Sequence, residues 1–377
     1  MSSIICHSCG FTNQSGSLYC FRCGAPLSID MCPYCRSQLP AHLNTCPRCG
    51  HPVPRQRLTG YIPAMRAGQQ YTDPSLRPWG GLADLGLLFR LLTRKRGPIY
   101  QASPAVYERL SPQTIARSGH YLLIALILFF IGLATSSTVV ALEGHATSLP
   151  ASIIAAIVAP VALLVWMRIN DRLEPEHVWL VVLAFGWGVF CMLPIIIINT
   201  HLIGALGWYG LAGFTEEPIK MLGVYLLATN PRLKSEFNDH LDGLLYGSAA
   251  GLGFAFAEDI LFIARMLKDD PFLIPLRIMG ASLHMFTTGL IGYWLGYLRV
   301  HGLPLNFSSA MPAIAFSIFT HMLWNTMAQY LPELVAFIIS AIWGVVLIYF
   351  VGKLARDALV DEYFWGYAHG YAPRESR

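Results

Sequence analysis

Glu216, Glu217 and Lys220 stand together inside a long apolar run, which is an expensive place for charge. Glu258 and Asp259 lie in the next apolar run, His284 in the one after, and His321 with Asn325 in the one after that. Glu216 and Lys220 are four residues apart, as are Phe254 and Glu258, and His321 and Asn325, so a helix puts each pair on one face. Three carboxylates, a lysine and two imidazoles buried together will not all keep their ordinary protonation. Such a set can prime water in two ways. A carboxylate paired with a histidine can act as general base. Alternatively, Glu258, His284 and His321 can bind Zn2+, with Glu216 or Glu217 as the base. Asn325 can donate to a developing oxyanion. Peptide hydrolysis needs all of these parts. Taken singly, each has a blander reading: a buried histidine as a packing residue, a Glu–Lys pair as a structural ion pair. Asp242 and Asp259, near the ends of a run, read as caps or interfacial groups. The coincidence of the others is the argument for chemistry.

A second constellation is made of cysteines. Cys6, Cys9, Cys20 and Cys23 are followed by Cys32, Cys35, Cys46 and Cys49, each 26 residues after its counterpart. Two CxxC knuckles supply four thiolates for one tetrahedral Zn2+, so the repeat predicts two structural zinc ribbons. A disulfide framework would need an oxidising compartment. Cys191 stands alone in an apolar run and reads as packing.

The elements that must position the first set are membrane helices. Hydrophobic residues make up 54% of the 377 and charged residues only 13%, about half the share of a soluble domain. Spans are predicted near 121–140, 149–167, 178–198, 206–229, 241–264, 278–298, 311–330 and 334–352. Each matches a ~30 Å hydrocarbon layer. The fourth is weak in its first half, where Gly204, Gly207, Gly210 and Gly213 recur. Pro160, Pro194 and Pro218 should kink their spans. Residues 81–96 read as an interfacial helix with a basic end. The cysteine-rich polar start is not that of a cleavable signal peptide.

Basic residues outnumber acidic ones 13 to 4 over residues 1–118 and fall behind, 13 to 18, over 119–377. Arg90, Arg94, Lys95, Arg96, Arg109 and Arg117 before the first span put the N-terminus inside, and Lys353 and Arg356 put the C-terminus inside too. At ~1.5 Å per residue, Glu216 and Glu217 then lie roughly 15 Å below the outer surface, Glu258 and His284 about 9 Å and His321 about 14 Å. The charges form one layer in the outer half of the bilayer.

At these residues the chain resembles the PrsW family of intramembrane proteases, in the wider clan that includes the CAAX-type prenyl endopeptidases. The matching segments are NDRLEPE at 170–176, FGWG at 185–188, EEPIK at 216–220, DGLLYGSAAGLGFAFAED at 242–259, RIMGASLHMFTTGLIGY at 277–293 and HMLWN at 321–325. The similarity covers roughly residues 120–352. It implies an EExxK motif at Glu216, Glu217 and Lys220, an FxxxE motif at Phe254 and Glu258, and later histidines at His284 and His321. Asn325 is similar to the asparagine of the relatives' HxxxN motif. The resemblance implies either a metalloprotease or a metal-free, glutamate-driven mechanism, acting in regulated intramembrane proteolysis on an anti-sigma-factor-like substrate.

The expectation is an all-α polytopic membrane protein of about eight transmembrane helices with two small N-terminal zinc ribbons. Its parts are a double ribbon at 1–52, a linker and juxtamembrane segment at 53–118, a transmembrane protease domain at 119–356 and a cytoplasmic tail at 357–377. It is placed in the plasma membrane, cutting membrane-anchored proteins near the outer side of the bilayer. Its cofactors are two structural Zn2+ ions, with or without a catalytic one. Its partners are the bilayer, the substrate and a protein that the ribbons bind; Arg22, Arg36 and Arg48 are too few for nucleic acid. The rivals are an ion- or proton-coupled transporter and a catalytically silent scaffold.

Overall fold

The computed structural model describes residues 3–5, 12–14, 29–31, 38–40, 76–93, 149–170, 176–234, 236–266 and 273–368. Near the N-terminus, β1 (Ser3–Ile5) pairs with β2 (Thr12–Gln14) and β3 (Ile29–Met31) with β4 (Gln38–Pro40), both antiparallel. The second hairpin starts 29 − 3 = 26 residues after the first, so the repeat read from the cysteines is also a repeat of backbone. The eight cysteines lie outside the described residues, as do the predicted span at 121–140 and most of the linker.

The rest is helical: α1 (Leu85–Thr93), α2 (Leu149–Asn170), α3 (Val178–Ile198), α4 (Gly213–Thr229), α5 (His240–Met266), α6 (Leu273–Val300), α7 (Phe307–Tyr330) and α8 (Glu333–Ala368). Among the described residues, four stretches are long and apolar enough to cross a membrane: Val178–Leu206, His240–Phe262, Phe307–Tyr330 and Glu333–Leu359. Ala156–Arg168 is apolar but shorter. In α3, Val178, Val182, Leu183, Phe190, Leu193 and Ile197 are exposed, and in α8 so are Leu334, Ile338 and Ile342. Such apolar faces suit lipid rather than water.

The centre of the bundle is the α5–α6 pair. Small residues let the two backbones touch, the usual device where lipid offers no hydrophobic drive between helices. A Cβ built on Gly251 would overlap the carbonyl of His284, and one on Gly247 would press on that of Thr288. Both neighbours are backbone, so no side-chain rotation relieves the clash. Gly251→Val should therefore cost about 1–3 kcal/mol in overpacking and move α5 off His284. Thermal melting of the purified variant checks the first effect and cleavage activity the second.

Three sequence expectations change. The predicted fourth span does not begin at 206. A π turn at Asn199–Ile203 carries α3 on to Leu206, Gly207 takes a left-handed φ of 67°, and a 3-10 turn at Tyr209–Ala212 leads into α4. Glu216 therefore sits in the first turn of a helix, with Glu217 just after it, not ten residues deep. Secondly, α8 runs on to Ala368, across the expected tail boundary at 357. Its later turns still bury Leu354, Ala355, Ala358 and Leu359. Thirdly, Asp259 is not open to the surface of the bundle: it is buried, at 1% exposure. Asp242 does cap. Its carboxylate accepts from the backbone N–H groups of Asn238 and Asp239, while that of Asp239 accepts from Leu241 and Asp242. This reciprocal pattern starts α5. The expected interfacial helix is α1, docked through buried Leu87, Leu88, Leu91 and Leu92, and Lys353 Nζ donates to the carbonyl of Leu91 at 2.6 Å.

Candidate active site

Four helices converge on one buried polar centre. Glu216, Glu217 and Lys220 come from α4, Glu258 from α5, His284 from α6 and His321 from α7. Glu216, Glu217, Lys220, His284 and His321 are each buried. The charges and imidazoles predicted to share a layer are thus in direct contact.

Lys220 is the hub. Its Nζ donates to Glu217 Oε1 at 2.6 Å and approaches His284 Nδ1 at 3.0 Å, with Glu216 Oε2 at 3.8 Å. It also lies 4.7 Å from the ring centroid of Phe254, a buried cation–π contact. The Phe254 ring meets that of His284 edge-on, at 5.0 Å between centroids. So the residue four before Glu258 packs both the lysine and the histidine.

Glu217 is a structural acceptor. Oε1 takes hydrogen bonds from Lys220, from Thr287 at 3.1 Å and from His321 Nδ1 at 2.7 Å, and Oε2 takes one from Thr288 at 3.4 Å. With Nδ1–H committed to Glu217, His321 keeps its Nε2 lone pair free for the site. That nitrogen lies 3.6 Å from Glu216 Oε2. Glu216 Oε2 is buried and has no hydrogen-bond partner. Its sister Oε1 accepts from Asn199 Nδ2 at 3.0 Å.

His284 is used at both ends. A charged lysine only donates, so Nδ1 accepts from Lys220 and Nε2–H donates to Glu258 Oε2 at 3.0 Å. This decides how well the site suits a metal. Glu216, His284 and His321 can each offer a ligand atom within 4.8 Å of the others. The expected carboxylate was Glu258, but the one within reach of both imidazoles is Glu216. Glu216 Oε2 and His321 Nε2 have free lone pairs; His284 has none while Lys220 and Glu258 hold it. As arranged, the three do not fit a catalytic ion, because His284 would first have to be released by Lys220.

Asn325 lies one turn beyond His321, but its Nδ2 faces the carbonyl of Tyr209 at 3.4 Å rather than the carboxylates. Cys191 packs with Met192, Ile195 and Phe254, as expected, and donates to the carbonyl of Gly188. Other quoted segments position α4 and α5. Trp187 Nε1 donates to the carbonyl of Ile219 at 3.2 Å, and Tyr246 hydrogen-bonds Glu176. Sequence reasoning missed Thr287, Thr288, Asn199 and Thr215. The threonines follow His284 by three and four residues, a helical spacing that marks them in retrospect.

The geometry defines a buried Glu–Lys–His centre of a kind suited to hydrolysis. Residues 176–352 match the family described as PrsW family intramembrane metalloprotease, and residues 6–50 match the double zinc ribbon. The chain is 30% identical over 156 residues to Protease PrsW of Bacillus subtilis (strain 168), covering 39% of this chain and 69% of that protein. Protease PrsW of Oceanobacillus iheyensis is 28% identical over 158 residues, covering 40% and 71%. That of Halalkalibacterium halodurans is 25% identical over 205 residues, covering 51% and 93%. No solved structure matches. The chain belongs to the PrsW family of intramembrane proteases and carries a double zinc ribbon at its N-terminus. It is an integral membrane protein.

Proposed function

We propose that the chain hydrolyses peptide bonds of membrane-anchored proteins near the outer side of the plasma membrane, with Glu216 as general base. The observation that carries this reading is the Oε2 atom of Glu216: buried, without a hydrogen-bond partner, and 3.6 Å from His321 Nε2. A water held between these two atoms gives its proton to Glu216 as its oxygen attacks the scissile carbonyl. Glu216 then returns that proton to the leaving amine as the C–N bond breaks. Glu217 holds His321 in the useful tautomer. Lys220 offsets the charge of the glutamate pair, and Glu258 fixes the ring of His284. Asn325, on the face of α7 next to His321, is the donor assigned to the oxyanion once substrate replaces its contact with Tyr209.

Eight spans, with both termini cytoplasmic, place the site in the outer half of the bilayer. The division is a double ribbon at 1–52, a linker and juxtamembrane segment at 53–118, a protease domain at 119–356 and a tail at 357–377 whose first residues prolong α8 as far as Ala368. The substrate class that the family supports is a membrane-anchored regulator of the anti-sigma-factor type, and the ribbons serve a protein partner. Mass spectrometry of new protein termini, comparing membranes of cells bearing wild type or Glu216→Gln, tests the reading. Termini unique to wild type, close to the outer end of a span, are expected; identical profiles would remove it.

Each ribbon holds one zinc ion through four thiolates: Cys6, Cys9, Cys20 and Cys23, then Cys32, Cys35, Cys46 and Cys49. Elemental analysis of purified full-length protein should find about two zinc ions per chain, and about none after all eight cysteines become serine. A tightly held ion that survives the serine replacements would contradict the metal-free reading of the Glu–His centre.

A further inference from the structure

Glu216 has two oxygens, and a base that takes a proton and gives it back must do both at the same one. Oε2 faces His321 Nε2, whereas Oε1 faces Asn199. Asn199 opens the π turn at the end of α3, a widened turn of the kind often found at functional sites. It is only half-buried and carries no charge, so nothing in its type marks it. Its neighbours give it a direction. Thr215 Oγ1 lies 2.5 Å from Asn199 Oδ1 and 2.8 Å from the carbonyl of Ala212. A carboxylate oxygen only accepts, so the amide turns Nδ2 to Glu216 and Oδ1 to Thr215, whose single hydroxyl proton is shared between Oδ1 and the Ala212 carbonyl. From there Nδ2 donates to Glu216 Oε1 at 3.0 Å. That bond is stronger to the carboxylate but persists when Oε2 is protonated, because Oε1 is then the carbonyl oxygen of the acid.

We propose that Asn199, oriented by Thr215, is a positioning residue that occupies Glu216 Oε1 and so confines proton transfer to Oε2. This rests on the reading of Glu216 as the base. Without the amide, the carboxyl group can rotate and load its proton on the oxygen that faces away from His321 and the water. Their hydrogen bonds run to Glu216, to each other and to the carbonyl of Ala212, so the expected loss falls on turnover rather than on binding.

The test uses full-length protein in proteoliposomes, with the membrane protein whose cleavage depends on Glu216 as substrate. Asn199→Ala and Asn199→Asp, which both remove the donor, should lower kcat about 10- to 100-fold with KM within about twofold. Thr215→Val should give a similar loss, and Thr215→Ser, which keeps the hydroxyl, should restore most of it. The Asn199→Ala/Thr215→Val double variant should be no slower than Asn199→Ala alone, because the two residues act as one unit. If Asn199→Ala does not accumulate in membranes, the Thr215 pair carries the same comparison. Wild-type kcat in both Asn199 variants, or Thr215→Ser as slow as Thr215→Val, overturns the proposal while Glu216 keeps its role. Full activity in Glu216→Gln instead overturns the reading of the base, and this inference with it.

Discussion

Glu216→Gln is expected to fold, to insert and to lose cleavage by about 10²- to 10⁴-fold, the usual contribution of a positioned general base. Glutamine keeps the shape and can still accept at its amide oxygen from Asn199. The atom that changes is Oε2, which becomes an NH2 donor directed at His321 Nε2. That contact is favourable, because Nε2 has a free lone pair while Nδ1–H is held by Glu217 at 2.7 Å. Stability should therefore change little while the proton acceptor disappears. Melting temperature and cleavage rate of the same preparation separate the two effects. A parallel loss of both would make Glu216 a structural residue.

Lys220→Met should do the opposite and destabilise first. Methionine fills similar space beside Phe254, but Glu217 loses a donor at 2.6 Å while its side chain stays fully buried. Removing one partner of a buried ion pair strands the other, at a cost of about 3–5 kcal/mol. His284 also loses the donor at its Nδ1, so its tautomer is no longer fixed. The variant should accumulate poorly, melt well below wild type and be inactive. Adding Glu217→Gln removes the stranded charge, and glutamine can still bond Thr287, Thr288 and His321. The double variant should recover most of the lost stability and none of the activity. Were Lys220→Met alone to melt like wild type, the lysine would not be the electrostatic hub of the centre.

The helices that the sequence made plain are those whose starts coincide with the start of an apolar run. The stretch at 149–167 is helical as Leu149–Asn170, and that at 178–198 begins at Val178 and continues through the π turn to Leu206, because lipid leaves an apolar run of that length no arrangement but a helix. The fourth span was misplaced. Hydropathy does not distinguish a continuous helix from one broken at Gly207, where φ is 67°. The last helix outran its predicted end because a hydropathy window stops at Lys353, while the buried face continues to Leu359. At the site, charged residues in apolar runs announced themselves, and six of the seven proposed residues lie in one cluster. The roles were less legible. Helical spacing says which side chains share a face, not which imidazole nitrogen is already committed. That Lys220 occupies His284 Nδ1, and that Glu216 rather than Glu258 lies between the imidazoles, depends on how α4 is packed against α6 and α7. Asn199 and Thr215 are ordinary polar residues beside a turn, and only three-dimensional contact reveals them.

Cleavage in heavy-oxygen water is the most direct trial. Purified full-length protein, in proteoliposomes with its membrane-anchored substrate, should release a fragment whose new carboxyl group carries the heavy oxygen. Glu216→Gln in the same vesicles should release almost none. Vesicles that pass ions but leave every anchored protein intact, or a Glu216→Gln protein that cuts at the wild-type rate, would contradict water activation at this carboxylate.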